Sequence, residues 1–367
     1  MVQFRWVNWF LVWCTVTLAT NANAQAKLSF VSSTSYQHPM IAQFSPKEFS
    51  QRFVEIAANK AIVIDVKNVH TISGQLIREL IVKQRPLFLL DPKNPPQVLF
   101  KMFDIYLRIF SVRKESVEEA VRAAGIFRRN IGTYYTINLI GSRAVPVADL
   151  IPRIDAAADR MLRVDAIYPV VPRTNGQEWE DDGTAHEEDL QDSNTKGIFR
   201  QRVSISILRN DRSATSDWWY LHMYNEVEPA RPAYMTKLNR NQATGVHVIG
   251  LPCWGPRGIV DSQKRAEVAV GCPGPEVPWD WPTGFTMVRD RTKQSQYEAA
   301  WDVEFSVGQN DSKASHKWEP GAQYETRETR NKELTIRMDV FVEWRDQKKN
   351  IIPWELRPWE YVSRPPR

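Results

Sequence analysis

The sequence predicts an α+β protein: a small α/β unit with a βαβ element, followed by an antiparallel, β-sandwich-like unit. Three observations predict it. Between residues 60 and 162, short β-branched runs alternate with stretches of helical periodicity. Beyond residue 200 the apolar period changes to two, the mark of half-buried strands. Tryptophan changes at the same place. Residues 25–178 hold none, and all eleven tryptophans outside the first 24 residues lie at or beyond Trp179.

The boundaries follow from these shifts. Residues 1–24 read as a signal peptide: Arg5, then an uncharged apolar run from Val7 to Leu18, then the small-x-small triplet Ala22-Asn23-Ala24. The run is shorter than the roughly 20 residues a membrane helix needs. Residues 25–175 form the α/β unit. Residues 176–196 include "QEWEDDGTAHEEDLQDSN", with eight acidic residues and no Lys or Arg, and read as an exposed acidic linker or loop. Its carboxylates could serve calcium, but their spacing is not that of an EF-hand. Residues 197–367 form the Trp-rich β unit.

In the first unit, "KAIVIDV" (60–66) and "RPLFLLD" (85–91) read as strands around a helix at 73–84. Residues 96–110 and 114–125 read as helices, 132–141 as a strand and 146–162 as a helix that Pro152 could break. Asp65 and Asp91 end the first two strands, and His70 follows in the first loop. The carboxyl ends of parallel strands are where open α/β sheets gather ligand groups, so these three form a candidate polar cluster. Turn chemistry explains the same residues without a ligand. No GxGxxG or Walker pattern is present.

In the second unit, strands are expected at 202–208, 217–224, 245–250, 266–271, 301–308 and 334–344. The last two alternate most clearly, with Trp301, Val303, Phe305 and Val307 on one face, then Leu334, Ile336, Met338, Val340, Val342 and Trp344. Trp279 and Trp281 stand in a Pro-flanked loop, and Trp218 and Trp219 point to opposite faces of a strand. Aromatic rings left outside a core bind sugars, headgroups or partner surfaces, so these four are candidate binding residues. Cys253 and Cys272 are the two cysteines beyond the signal segment, and an even count in an exported chain reads as a disulfide.

No HExxH, GxSxG or paired metal-ligand spacing occurs, so no metal, cofactor or catalytic residue is assigned. The net charge of +5 is spread out, which does not suit a nucleic-acid partner. The reading is an exported recognition protein, secreted or periplasmic, binding a protein, a glycan or a membrane surface. A membrane-active protein and a secreted hydrolase are the alternatives.

One stretch resembles a known family. "WDVEFSVG" (301–308), then "YETRETRN" (324–331), then "MDVFVEW" (338–344) resembles the haemolysin/leukocidin class of β-pore-forming cytolysins. In that class a strand leads to a membrane-inserting hairpin and returns through a tyrosine- and arginine-containing strand to a tryptophan. The resemblance implies a membrane-inserting hairpin and membrane activity. The polar segment 309–333 departs from an insertable hairpin, which needs an apolar outer face, and no functional residue is carried over.

Overall fold

The computed structural model describes residues 28–93, 98, 107, 109–113, 119–130, 133–163, 179–192, 197–208, 215–229, 234–257, 259–261, 285–305, 316–327, 333–345, 350–356 and 358–363. The chain runs through β1 (Leu28–Val31), β2 (Ile41–Phe44), α1 (Pro46–Gln51), α2 (Phe53–Ala57), β3 (Ala61–Asp65), a 3-10 turn (Val66–Thr71), α3 (Gly74–Val82) and β4 (Leu87–Leu90). It continues with β5 (Ile109–Arg113), β6 (Glu119–Asn130), β7 (Thr133–Ser142), α4 (Val147–Leu162), β8 (Trp179–Asp192), β9 (Gly197–Leu208), β10 (Ser216–Pro229), β11 (Tyr234–Val246), β12 (Gly250–Gly255) and β13 (Ile259–Asp261). Last come β14 (Phe285–Asp290), a 3-10 turn (Gln294–Gln296), β15 (Glu298–Phe305), β16 (His316–Trp318), β17 (Gly321–Arg327), β18 (Leu334–Arg345), β19 (Ile351–Glu355) and β20 (Trp359–Ser363).

Strands dominate, and among the described residues they form two sheets. The first runs β12-β17-β10-β9-β8-β7-β6-β4-β3-β1-β2, with β16 on β10. The second runs β13-β14-β15-β11-β18-β20-β5, with β19 on β18. One sheet therefore spans both halves of the sequence. Its β2-β1-β3-β4 end is parallel. Each residue of β1, β3 and β4 is buried, because helices cover parallel strands on their faces. Ser45 and Glu48 close a capping box at the start of α1. α1, α2 and α3 pack Phe49, Phe53, Ile56, Ile77 and Leu80 against one face. α4 packs Leu150, Ile154, Ala157 and Met161 against the other.

The sandwich lies where the two sheets face each other. Its core gathers Phe199, Val203, Ile205, Trp219, Leu221 and Tyr324 of the first sheet with Trp301, Val303, Ile336, Met338, Val340 and Trp359 of the second. Trp301 and Trp318 meet edge-on, with centroids 6.1 Å apart, a favourable aromatic geometry. The alternation read in 301–304 and 334–342 is present as burial: Trp301 and Val303, then Leu334, Ile336, Met338, Val340 and Val342, are buried while their neighbours are not. The side chain of Trp344 lies outside the described residues.

Several expectations are corrected. Residues 119–125, expected as the end of a helix, open β6, which is paired to β4 and β7. Cross-strand pairing outweighs the helical propensity of "VEEAVRAA". Gly125 is a packing site, not a helix stop, since a Cβ there would come within 2.6 Å of Met161 and Phe88. Residues 179–192 of the expected acidic linker or loop instead form strand β8, parallel to β7 and antiparallel to β9, and the rest of it lies outside the described residues. Residues 247–249 form a turn, not a strand, with His247 at a φ of 59°. α4 continues through Pro152. Residues 96–108 lie almost wholly outside the described residues, and 266–271 wholly so.

Candidate functional site

The parallel end of the first sheet brings the first candidate cluster together in part. Connections from β1 lead to β2 on one side, and from β2 across to β3 on the other, so the switch point lies between β1 and β3. Ser32 and Ser33 follow β1, Asp65 ends β3, and Asp91 follows β4. Ser32 Oγ donates to Asp65 Oδ2 at 3.2 Å, and the Lys67 backbone N–H donates to Asp65 Oδ1 at 3.0 Å. Ser33 Oγ donates to Asn68 Oδ1 at 2.9 Å. Asp91 takes a left-handed φ of 47°, which Asp tolerates better than most residues. Arg122 Nε donates to Asp91 at 2.7 Å, and Arg122 also holds the Val145 carbonyl at 2.8 Å.

Tyr36 belongs to this group and had no sequence signal. Burial, then the charges of Asp65 and Asp91, push its phenol above the ordinary value. His70 does not belong. It is exposed on the 3-10 turn and bonds neither aspartate among the described residues.

The second polar group is on β8. Strand alternation splits it. His186 and Glu188 face the second sheet, while Glu187 and Asp189 face α4. On the first side His186 Nε2 meets Glu188 at 2.8 Å and His186 Nδ1 meets Thr136 Oγ1 at 2.7 Å. Asn138 donates to Glu188 at 2.9 Å, and Ser111 of β5 donates to the same oxygen. Two hydroxyls, an imidazole and a carboxylate thus meet: Thr136 bonds the imidazole, which bonds Glu188, and Ser111 bonds the carboxylate. With Ser111 9%, His186 3% and Glu188 0% exposed, the group ties the two sheets together and offers a substrate no approach.

On the other side, Arg160 reaches Glu187 at 2.9 Å and Asp189 at 2.6 Å. Arg153 and Arg200 add contacts to Asp189 at 2.8 and 3.2 Å, and Arg202 reaches Glu187 at 2.6 Å. Burial alone would raise both carboxyl groups. Arg153, Arg160 and Arg200 overcome it and bring Asp189 down to about 2, and Arg160 with Arg202 lowers Glu187. Glu187 and Asp189 of the acidic run thus belong to an internal ion network. A cavity of about 310 Å³ adjoins it, lined by Gly141, Ser142, Asp149, Arg153 and Gln191 among others. Arg153 is already committed to Asp189 there.

The tryptophans divide. Trp219 is buried, with Nε1 donating to Thr326 Oγ1 at 2.9 Å, so it is a core residue. Trp218 is half-buried on the opposite face of β10. Trp279 and Trp281 lie outside the described residues, as does Cys272. Cys253 is fully buried in β12. Trp254 was not among the candidates. It is half-buried in β12, stacked by Arg257 at 3.7 Å and bonded to Asp290 at 2.9 Å.

No family model matches the chain, and no curated protein matches it. Solved structures do. The chain is similar to pore-forming toxins. One is described as a pore forming protein, at 11% identity over 52% of this chain and 92% of that one, with a TM-score of 0.30. The Clostridium perfringens delta-toxin matches at 9% identity over 52% and 93%, with a TM-score of 0.24. The Clostridium perfringens NetB toxin in its membrane-inserted form matches at 10% identity over 50% and 92%, with a TM-score of 0.25. TM-scores of this size do not establish a common fold.

Proposed function

We propose that this protein acts at membranes, as a pore-forming, cytolysin-like protein. The observation that carries the reading is where the three segments of the sequence resemblance lie. β15 and β18 flank β11 in one sheet, in the order β15-β11-β18. β17 faces them from the other sheet, and its Tyr324 hydroxyl donates to the Ala243 carbonyl of β11 at 2.7 Å. The described parts of these segments thus meet on one strand, β11. The net charge of +5 favours an anionic surface.

The reading has further parts. Residues 1–24 direct export, which puts the chain outside the cytoplasm. Cys253 pairs with Cys272 and staples the end of β12. Residues 25–175 and 197–367 act as two functional units that share a sheet. A second reading, recognition of a surface without its disruption, is favoured by Trp218 and by the Trp254–Arg257 stack at the sheet edge.

Vesicles of phosphatidylcholine, with and without phosphatidylserine, test both. Co-sedimentation with loss of entrapped dye supports the membrane-active reading. Co-sedimentation with the dye retained supports surface recognition. No co-sedimentation and no loss of dye would contradict both readings.

A further inference from the structure

The cavity beside α4 keeps polar groups that internal contacts do not use. It holds about 310 Å³, at the small end of the range for ligand pockets, roughly 300–1,000 Å³. Arg153 and Asp149 line it from α4, and Gln191 from the end of β8. Residues 142–145 turn past it and are held in place, because the buried Arg122 donates to the Ser142 and Val145 carbonyls. Solvent reaches the lining: Ser142, Arg153 and Gln191 are half-buried and Asp149 is exposed.

The tie between Arg153 and Asp189 uses Nη2 alone, which also donates to the Ile140 and Asp189 carbonyls. Nη1 donates to nothing among the described residues, although a guanidinium carries five N–H donors. Gly141 keeps the space beside Nη1 open, since a Cβ there would stand 3.2 Å from it. The backbone at Gly141 has no positive φ that would itself call for glycine. Asp149 stands one helical turn from Arg153, a spacing at which opposite charges ordinarily pair. These two form no ion pair, and the Asp149 carboxylate bonds no described residue. Ser142 Oγ accepts from the Ala144 N–H and keeps its own hydrogen to donate.

From this we infer that the cavity binds a free α-amino acid with an apolar side chain. The ligand carboxylate meets Arg153 Nη1, the ammonium meets Asp149, and the side chain lies on Val145, Pro146 and Leu150. The two charges select the class. An inorganic anion answers Arg153 and is repelled by Asp149. A simple amine does the reverse. A sugar leaves both charges without a counter-charge. The quaternary ammonium of phosphocholine has no N–H for the Asp149 carboxylate. An α-amino acid carries a carboxylate and an N–H-bearing cation on one carbon, so it answers two charges that share a cavity and do not reach each other.

The site stands independently of membrane activity. Calorimetric titration of the full chain with L-valine, L-leucine and L-phenylalanine tests it, with phosphocholine as the comparison. At least one amino acid is expected to bind. Its N-acetyl derivative and its decarboxylated amine, each lacking one charge, should bind about tenfold or more weakly, since a hydrogen bond to a charged group is worth that factor. Asp149→Asn should weaken the amino acid by the same factor and leave the N-acetyl derivative unchanged. Gly141→Ala should weaken the amino acid by crowding Nη1. Near-ultraviolet circular dichroism checks that each variant is folded. If Gly141→Ala does not fold, the exposed Asp149→Asn decides. No binding of any of the three amino acids would overturn the inference. So would equal binding by folded Asp149→Asn, or tighter binding of phosphocholine than of the amino acids.

Discussion

Arg160, in the last turn of α4, lies 2.6 Å from Asp189 near the end of β8. The contact joins a helix to a strand that the acidic sequence seemed to place in solvent. Removing Arg160 takes one cation from each of two buried carboxylates, which keep Arg153, Arg200 and Arg202, so the cost is roughly 3 kcal/mol, the low end for breaking a buried pair. Arg160→Met should therefore lower unfolding stability by about that amount. Urea denaturation followed by tryptophan fluorescence measures it. A loss below about 0.5 kcal/mol would mean the pair is solvated, as surface pairs are.

The same network sets an acid limit. Asp189 is held at about 2, below its unfolded value of 3.8. A depressed carboxyl group contributes stability that is fully present above the unfolded value. That contribution falls as pH drops through the folded one. Asp189 should add roughly 2 kcal/mol from neutral pH down to about 5, and lose it between about 4 and 2. Comparing wild type with Asp189→Asn across that range checks it. The difference between them should shrink on acidification. A difference that grows would reverse the sign of the account.

Tyr324 joins the two sheets through its hydroxyl to Ala243. Tyr324→Phe removes the donor and leaves a buried carbonyl short of a partner, for a loss of about 1–2 kcal/mol. The sandwich core should otherwise stay intact. Thermal unfolding with an unchanged near-ultraviolet spectrum is the expected result.

Gly125 is fixed by packing. A Cβ would meet Met161 at 2.6 Å, Phe88 at 2.6 Å and Ile137 at 2.7 Å. Two of these belong to neighbouring strands, so the space cannot open without moving the sheet. Gly125→Ala should cost about 1–3 kcal/mol by overpacking, although alanine suits most strands better than glycine. Chemical denaturation of the pair of proteins decides this.

The sequence was most legible where one local signal acted alone. The apolar run 61–65, the helix at 147–162 and the alternation in 334–342 each reached the structure with little change. It failed where partners came from far along the chain. Glu187 and Asp189 read as solvent residues because Arg153, Arg160, Arg200 and Arg202, which bury them, stand on α4 and β9. "VEEAVRAA" read as helix because nothing local announces the pairing of β6 with β4 and β7. Asp65 ends β3 and Asp91 follows β4, where the sequence placed strand ends, while His70 is exposed and bonds neither aspartate among the described residues. Tyr36 and Asn68 carried no pattern.

Membrane activity is the central claim, and release of carboxyfluorescein from phosphatidylcholine–phosphatidylserine vesicles by the purified mature chain tests it most directly. The account predicts release that rises with protein concentration and weakens with salt, as the anionic surface is screened. Intact vesicles at every concentration, with the protein remaining in the supernatant, would contradict it.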